Sequence, residues 1–412
     1  MAILIAVALS WVCAIAKDSI LQDIPLEETA PKDSLTVSLI TCYPGSEIYE
    51  LCGHSALRIR GEGIDSVWNY GLFDFTEPNF VYRFVKGETD YMVAGYPFKW
   101  FLPEYQRDSR KVIEQDLNLT PQEVALLRKN LQIASLPENA RYRYNYVKDN
   151  CSTRIVEQMD SATTEIIIFP DSVKYGTFRN EMRAFHGNYP WYQFGIDVAL
   201  GSGLDYKLNS REELFVPVVL MERAAGARLS DGRPLVKETR VLNEGSSDAV
   251  SPPTHWALAP FFWSWVAALA AIGVFFYELS RGRCLRTFYF IWFLVLGLAG
   301  LLVFFLVFVS VHEATSPNAL ILWLNPLQFI MAFSIYGRRG NLWATFMSWY
   351  NFVVVGVLLI VWPFMQQSGN PAFFPLMGAT ALLGCGYAII ARKSSYNNDR
   401  DTRKRNVWRK KK

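Results

Sequence analysis

Cys151 and His54 are the two residues whose types and surroundings indicate chemistry. Cys151 follows Asn150 in the run NCSTR, and the next residues, IVEQM, are typical of a helix. Asn is a favoured N-cap because its side-chain oxygen accepts hydrogen bonds from the free amides of the first helical turn. Cys151 is therefore predicted at the first helical position, where the helix dipole favours a thiolate nucleophile that needs a base. The alternative is a buried, unreactive thiol.

His54 is the candidate base. It lies in the run CGHSALRIR, whose alternation predicts a half-buried strand. The chain has four His residues, which are His54, His186, His255 and His312. Of these, His54 is the one on a predicted strand in the same polar region as Cys151. Asn69, Tyr70 and Asp74, on or just after the next predicted strand, are the candidates for orienting the imidazole. A histidine with only a structural role is the alternative.

Alternating patterns and turn signals predict a compact α+β domain around these residues. The predicted strands are residues 35–41, 54–60, 66–71, 90–95 and 111–117. Thr120, Pro121 and Glu123 supply an N-cap, a first-turn Pro and a capping-box Glu for a helix that runs to about residue 135. Further on, the Gly-rich residues 195–203 predict either a flap beside the site or an ordinary connector.

Composition separates the chain into an exported part and a membrane part. Of its 412 residues 51% are hydrophobic, yet the long apolar runs concentrate in the last part of the chain. Residues 1–16 are apolar and end in Ala-Ile-Ala, which indicates a signal peptide or an N-terminal anchor. The predicted catalytic domain covers residues 17–230, and a polar linker covers residues 231–253. The net charge of +3, without a basic aromatic face, argues against nucleic acid as a partner.

The six cysteines, at positions 13, 42, 52, 151, 284 and 385, show no spacing typical of a zinc site. The chemistry expected of Cys151 and His54 needs no metal and no cofactor. Cys42 and Cys52 flank a Pro-Gly turn, and in an oxidising compartment they would either pair as a disulfide or remain buried thiols. In both cases Cys151 stays free, as a nucleophile must.

Five apolar segments follow, at roughly residues 256–277, 288–311, 319–336, 342–365 and 374–391. They predict an all-α five-helix transmembrane domain over residues 254–392, although the third segment is short and contains Asn325-Pro326. Arg residues occupy the first and third loops, and residues 393–412 form a basic tail. The positive-inside rule then places the tail in the cytoplasm and the catalytic domain on the other side of the membrane.

The order of the motifs is a His strand, a polar strand and then a Cys helix, which is the reverse of papain. It resembles the order in the circularly permuted papain-like thiol enzymes. The runs GHSALRI, WNYGLFDF, PNF, QDLNLT and YNYVKDNCSTR resemble the periplasmic domain of the bacterial Lnb-type lipoprotein N-acyltransferases, over roughly residues 36–217. The resemblance implies a permuted papain-like periplasmic thiol-enzyme domain followed by the five membrane helices. It also implies a multi-pass protein of the bacterial inner membrane with its catalytic domain in the periplasm.

The resemblance further implies an activity. An acyl chain would move from a membrane phospholipid to the α-amino group of a diacylglyceryl-cysteine lipoprotein, through a thioester on Cys151 and with His54 as base. The phospholipid donor and the lipoprotein acceptor would be the partners. One alternative is a membrane-tethered periplasmic cysteine amidase or peptidase that acts on cell-wall peptides with water as acceptor. The other is a membrane scaffold without enzyme activity.

Six residues are candidates for binding substrate, namely Arg58, Asp74, Asn150, Arg154, His312 and Asn325. Arg58 and Arg154 would hold a phosphate or else form structural ion pairs. The loop at His312 and the nearby Asn325 are expected close to the periplasmic face, where polar groups at membrane depth are costly and usually functional. This loop would dock a lipid headgroup or the acceptor, or would simply cap a helix.

Overall fold

The computed structural model describes residues 35–73, 78–337 and 341–390. The predicted signal segment 1–16, the start of the domain predicted at 17–230, Asp74 and the basic tail 393–412 lie outside the described residues. The chain divides into two compact units. The first contains the described residues up to Asn188 together with Lys207–Pro253, and the second contains Tyr189–Tyr206 together with the described residues from Thr254 onward.

An antiparallel sheet of seven strands forms the centre of the first unit. The strands of this unit are β1 (Thr36–Cys42), β2 (His54–Gly61), β3 (Ile64–Leu72), β4 (Asp90–Pro97), β5 (Val112–Leu117), β6 (Arg141–Arg143), β7 (Ile167–Ile168), β8 (Arg228–Leu229) and β9 (Val236–Asn243). The order across the large sheet is β6-β4-β3-β2-β1-β5-β9, while β7 and β8 pair only with each other. The five strands predicted from alternation, β1 to β5, are confirmed.

Helices pack on both faces of this sheet. Before Asn188, the helices of the first unit are α1 (Phe80–Lys86), α2 (Phe98–Arg107), α3 (Pro121–Ala134), α4 (Cys151–Ala162) and α5 (Phe178–Phe185). The interior strand β1 is buried along nearly its whole length, because it carries apolar side chains toward both faces. Leu57 of β2 belongs to the core that includes residues of α3 and α4, whereas its neighbour Ala56 belongs to the core that includes residues of α2. The α+β prediction is confirmed.

The predicted linker at residues 231–253 is corrected, because it contains the edge strand β9, paired with β5. This strand was missed since its sequence, VKETRVLN, is largely polar and exposed. Arg240 donates hydrogen bonds to Glu114 at 3.0 Å and to Asp116 at 2.7 Å on β5. Charged side chains are common on edge strands, where they discourage pairing with another chain.

Four helices among the described residues are long and apolar enough to cross a membrane. The first unit contains one more helix, α7 (Pro217–Gly226). The helices of the second unit are α6 (Pro190–Ala199), α8 (Pro260–Arg281), α9 (Arg286–Phe308), α10 (Gln328–Ser334), α11 (Leu342–Phe364) and α12 (Phe373–Ile390). The four that could span are α8, α9, α11 and α12. Within α11 the segment Asn351–Val355 is a π-helical turn.

The third predicted apolar segment, residues 319–336, is not a continuous helix. It forms a 3₁₀ turn, Ala319–Leu322, and the short helix α10, on either side of Asn325-Pro326. Proline has no N–H and restricts the residue before it, which explains the break. The broken backbone approaches α9 so closely that a Cβ on Gly300 would lie 2.4 Å from the carbonyl carbon of Asn325. Among the described residues, four of the five predicted segments are thus continuous helices, and the third is interrupted at Asn325-Pro326.

The helix α6 belongs to the second unit, although the chain returns to the first unit at Lys207. Its Phe194 packs on Phe373 of α12, with the ring centroids 5.3 Å apart. At the end of the helix, the N–H of Gly201 donates to the carbonyl oxygen of Ala314 at 2.8 Å. The Gly-rich run at residues 195–203 is thus a packed helix end of the second unit.

Candidate active site

Cys151 is the first residue of α4, as predicted. The Oδ1 atom of Asn150 accepts hydrogen bonds from the N–H groups of Ser152 (2.9 Å) and Thr153 (3.1 Å). The Nδ2 group of Asn150 donates to two backbone carbonyl oxygens, each at 2.9 Å. The side chain of Asn150 is therefore engaged in holding the start of α4, which positions Cys151. To bind substrate, as predicted, the side chain of Asn150 would have to give up one of these hydrogen bonds.

His54 is the first residue of β2, and its imidazole is hydrogen-bonded to the thiol of Cys151. The ring also contacts Asn69, with 2.5 Å between His54 Nε2 and Asn69 Oδ1. Because Asn69 engages Nε2, the nitrogen left to face the sulfur is Nδ1. Asn69 pairs with Ala56, two residues along β2 from His54, so both polar side chains stand on the same face of the sheet. The structure thus brings together a Cys, a His and an Asn.

Tyr70, the other described candidate for orienting His54, lies on the opposite face of the sheet. It follows Asn69 on β3, and successive side chains of a strand point to opposite faces. Its ring is buried in the core beside Tyr142, with the centroids 6.2 Å apart. Asn69 and not Tyr70 therefore holds the imidazole.

Tyr96 of β4 supports Asn69 and was not predicted. The Nδ2 group of Asn69 donates to the Tyr96 hydroxyl at 2.9 Å, so the amide oxygen is turned toward His54. Burial raises the pKa of Tyr96, which keeps this hydroxyl neutral. Tyr96 lies just beyond the strand predicted at residues 90–95, and its position beside Asn69 depends on the register of β3 and β4. The one indication of this contact in the sequence is that Tyr96, a polar aromatic residue, lies at the end of the next strand.

The surroundings of Cys151 favour a thiolate paired with an imidazolium. Burial by itself raises the pKa of the Cys151 thiol, but the charge of His54 and its hydrogen bond outweigh that effect. The backbone N–H of Ser55 and the hydroxyl of Ser152 add hydrogen bonds, and the resulting pKa is below the ordinary 9.0. Burial lowers the pKa of His54, yet the contacts with Cys151 and Asn69 raise it above the ordinary 6.5. Each partner therefore stabilises the charge of the other.

Ser55 and Ser152 were not singled out from the sequence, although each follows a candidate residue directly. Both side chains are fully buried, and their hydroxyl oxygens are 3.2 Å apart. The backbone N–H of Ser55 helps to lower the pKa of the Cys151 thiol, so a backbone donor lies close to the sulfur. This N–H is a candidate for stabilising an oxyanion.

The neighbouring thiols differ from Cys151 in their electrostatics. Cys42 and Cys52 are free, so of the two states left open by the sequence the structure shows thiols and not a disulfide. Burial raises the pKa of Cys52 to about 11, despite a contact of 3.4 Å between its sulfur and the Tyr146 hydroxyl. Burial also raises the pKa of Cys42. Of these three thiols, Cys151 is the one whose surroundings lower its pKa.

The two candidate arginines of this unit form ion pairs. Arg58 donates to Asp65 at 2.7 Å and to Glu114 at 3.0 Å, and its guanidinium lies 3.6 Å from the centroid of the Phe98 ring. Arg154 forms a two-bond ion pair with Asp149. The structure thus favours the ion-pair alternative, because a phosphate would compete with carboxylates that are already in place.

His312 and Asn325 lie in the second unit, where both take part in capping. The carbonyl oxygen of His312 accepts from the N–H of Thr315 at 3.2 Å and from its hydroxyl at 2.9 Å. Asn325 Oδ1 accepts from the N–H of Leu327 at 3.1 Å, just before α10 begins. The side-chain contact of Asn325 favours the capping alternative, whereas the contacts of His312 involve only its backbone carbonyl. Their predicted role in docking substrate stays a prediction.

Within the described parts of the chain, no group of three or more His, Cys, Asp or Glu residues could hold a metal ion. Cys151, His54 and Asn69 together offer the chemistry of a thiolate, of an imidazolium that faces it and of an amide that orients the ring. Such a pair can attack a carbonyl carbon and carry a proton to or from the leaving and entering groups.

Two family models match the chain. Residues 23–179 match the Lnb N-terminal periplasmic domain, and residues 253–395 match the Lnb transmembrane domain. No curated protein and no solved structure shows significant similarity to it. The site described above lies in the part matched by the periplasmic domain, and the four apolar helices lie in the part matched by the transmembrane domain. The chain therefore belongs to the Lnb family, as a membrane protein with a periplasmic domain followed by a transmembrane domain.

Proposed function

We propose that the protein is a lipoprotein N-acyltransferase that uses Cys151 as its nucleophile. The observation that carries the proposal is the hydrogen-bonded pair of Cys151 and His54, in which the pKa of the thiol is lowered and that of the imidazole is raised. A thiol enzyme fixed in a membrane by apolar helices has ready access to a lipid ester. The donor in this proposal is a membrane phospholipid, and the acceptor is the α-amino group of a diacylglyceryl-cysteine lipoprotein.

In the first half-reaction the thiolate of Cys151 attacks the carbonyl carbon of the phospholipid ester, and a carbon–sulfur bond forms. The carbonyl oxygen becomes an oxyanion, which the backbone N–H groups of Ser55 and Cys151 would stabilise. The ester carbon–oxygen bond then breaks, and the leaving oxygen takes the proton of the His54 imidazolium. The products are a lysophospholipid and a thioester on Cys151.

In the second half-reaction the neutral amine of the lipoprotein attacks the thioester carbon. His54, now a neutral imidazole, takes the proton that the nitrogen loses. The carbon–sulfur bond breaks, an amide is released, and Cys151 and His54 return to thiolate and imidazolium. This step runs downhill because an amide is more stable than a thioester.

The proposal places the protein in the bacterial inner membrane with the first unit in the periplasm. The basic residues 393–412 favour a cytoplasmic end for the chain. An exported domain and a cytoplasmic end require an odd number of crossings. Four continuous helices together with the broken segment 319–336 would supply five.

Mass spectrometry of lipoprotein N-termini tests the function in cells that carry the wild-type protein, Cys151→Ala or Cys385→Ala. We expect the N-linked acyl chain with the wild type and with Cys385→Ala, a matched cysteine change in α12. We expect free α-amino groups with Cys151→Ala. Persistence of the N-acyl chain in the Cys151→Ala cells would contradict the proposal. Altered cell-wall peptides in those cells would instead support the amidase alternative.

A further inference from the structure

Five aromatic rings form a continuous series in the first unit, which we call the aromatic track. Its members, in spatial order, are Tyr144, Tyr91, Phe73, Phe80 and Phe84. The rings of Tyr144 and Tyr91 stack at 4.0 Å with 20° between their planes, and Phe73 lies 5.0 Å from Tyr91. The two remaining steps, through Phe80 to Phe84, are 6.1 Å each. The steps of 5.0 and 6.1 Å are ordinary separations for aromatic pairs in contact, and Tyr144 and Tyr91 lie closer still.

The inner end of the track lies at the candidate nucleophile. A Cβ built on Gly71 would be 3.8 Å from Cys151 Cβ and 4.0 Å from the ring of Tyr144, so Gly71 separates the two. Gly71 sits at a bulge of β3 with φ +91°, a conformation that L side chains rarely adopt. Because Gly71 has no side chain, only its backbone stands between Cys151 and the ring of Tyr144.

The outer end of the track is an exposed apolar surface. On α1, Val81 is 73% exposed and Phe84 is 48% exposed. Tyr49, whose ring lies 6.2 Å from Phe73, is 58% exposed, and its neighbour Ile48 is 54% exposed. Clustered apolar side chains on the surface of a water-exposed domain usually mark a binding site.

We propose that the aromatic track binds an acyl chain of a membrane phospholipid, with the carbonyl carbon at Cys151 and the tail running toward α1. This binding site rests on the proposed acyltransferase function, and it specifies where the acyl chain of the phospholipid donor lies. The track offers ring faces and two phenol groups, while the charges beside it pair with each other, as Lys86 does with Glu88 at 2.7 Å. A peptide needs partners for its backbone N–H and C=O groups, whereas an acyl chain needs only apolar contact.

Photolabelling of the full-length Cys151→Ala protein tests the binding separately from turnover. The probe is a phosphatidylethanolamine with a diazirine on one acyl chain, in vesicles of phosphatidylethanolamine and phosphatidylglycerol. We expect labelled peptides from residues 73–86 and around Tyr49, in addition to the membrane helices. Labels confined to the membrane helices would overturn the proposal. Absence of a Cys151 thioester in the wild-type protein would instead overturn the proposed function, whatever the labels show.

Paired substitutions provide a second test, with the rate of Cys151 acylation by vesicle phospholipid as the readout. We expect Tyr49→Ser with Val81→Ser to slow acylation about tenfold, since each methylene that leaves an apolar contact weakens binding about fourfold. The matched control, Ile166→Ser with Ile168→Ser, removes exposed apolar side chains of the same unit elsewhere and should have no effect. Alkylation of Cys151 by iodoacetamide should be unchanged in both. Equal acylation rates in the two paired variants would contradict the proposal.

Discussion

Asn69 and His54 are joined by a short hydrogen bond, with 2.5 Å between the amide oxygen of Asn69 and Nε2 of the imidazole. An acceptor on Nε2 makes that nitrogen carry a proton, which leaves Nδ1 to exchange a proton with the sulfur of Cys151. The bond also opposes rotation of the ring. Asn69 is thus a positioning residue, and it acts on the reaction through His54.

Asn69→Ala should lower the rate of Cys151 acylation about 100-fold, because the imidazole loses the contact that holds its tautomer and orientation. The pKa of His54 should fall, since the bond to Asn69 helps to raise it. The acylation rate and the pH dependence of Cys151 alkylation measure the two effects. An unchanged pH profile together with an unchanged rate would show that Asn69 has no part in the chemistry.

Tyr96→Phe should have a smaller effect, about fivefold on the acylation rate. The substitution removes one hydrogen bond of about 1 kcal/mol and frees the amide of Asn69 to rotate, while the ring and its packing remain. The double variant with Asn69→Ala is the control. We expect no further loss in it, since Tyr96 acts only through Asn69. Additive losses would contradict this pathway.

Iodoacetamide should alkylate Cys151 with a midpoint below the ordinary pKa of 9.0, because His54 and the donors at the sulfur outweigh its burial. In His54→Ala the midpoint should move above 9.0, since the burial remains and the positive charge is gone. Cys52, whose pKa is about 11, should stay unlabelled at neutral pH. Mass spectrometry of the labelled peptides across pH measures both. Labelling of Cys52 ahead of Cys151 would contradict the assignment of the nucleophile.

Asn150→Ala should destabilise the first unit by about 1–3 kcal/mol, because it removes the cap of α4 and two bonds to backbone carbonyl oxygens. Cys151 alkylation should slow as well, since the start of α4 loses its anchor. Thr120→Ala removes the cap of α3 and is the matched control, with about 1 kcal/mol of destabilisation and no change in alkylation. Protease resistance in urea measures stability. Equal alkylation rates in the two variants would argue against the positioning role.

A buried pair of carboxyl groups, Glu181 and Glu213, should make the first unit less stable as pH rises from about 5 to 8. Burial and the contact with Glu213 raise the pKa of Glu181 from 4.5 to about 8, so the folded chain keeps a proton that the unfolded chain has lost. The contribution of Glu181 is complete below pH 4.5 and is lost as pH rises toward 8. The pKa of Glu213 is lowered in spite of its burial, by bonds from Glu181 and Arg223, so its own contribution is lost only at acid pH.

Glu181→Gln provides the test of this pair, because Gln donates a hydrogen bond to Glu213 at every pH. We expect the fall in unfolding free energy between pH 5 and 8 to become shallower in this variant. Urea unfolding of the full-length protein in detergent, repeated across pH, measures the slope. A slope equal to that of the wild type would show that Glu181 is not the titrating group.

Local sequence signals were sufficient for the two central residues. An Asn before a Cys at a helix start is a contact between near neighbours, and the strand at His54 follows from alternation. The choice of Asn69 over Tyr70 depends on which face of β3 meets His54. That face is set by strand pairing between distant segments, as is the contact with Tyr96. Such contacts are decided by register, which short-range patterns do not contain.

Composition did not reveal two features of the chain. The strand β9 is polar because it lies at a sheet edge, so its sequence is similar to that of a linker. The segment 319–336 is apolar enough for a helix, yet Pro326 breaks it, and its backbone is accommodated by neighbouring groups. Gln328 and Asn351 exchange hydrogen bonds of 2.8 and 3.1 Å through their side-chain amides. The apolar composition of residues 319–336 indicates that they are buried, but it does not indicate whether they form a continuous helix.

Because α6 belongs to the second unit, the chain enters that unit before it reaches the long apolar helices. The polypeptide passes between the two units three times, after Asn188, after Tyr206 and after Pro253. A single nick after Pro253 would give two covalently separate fragments, which the packing of α6 within the second unit would still hold together. A secreted fragment ending there would also carry Phe194 away from Phe373, and the stranded ring would have to find another apolar surface or promote self-association.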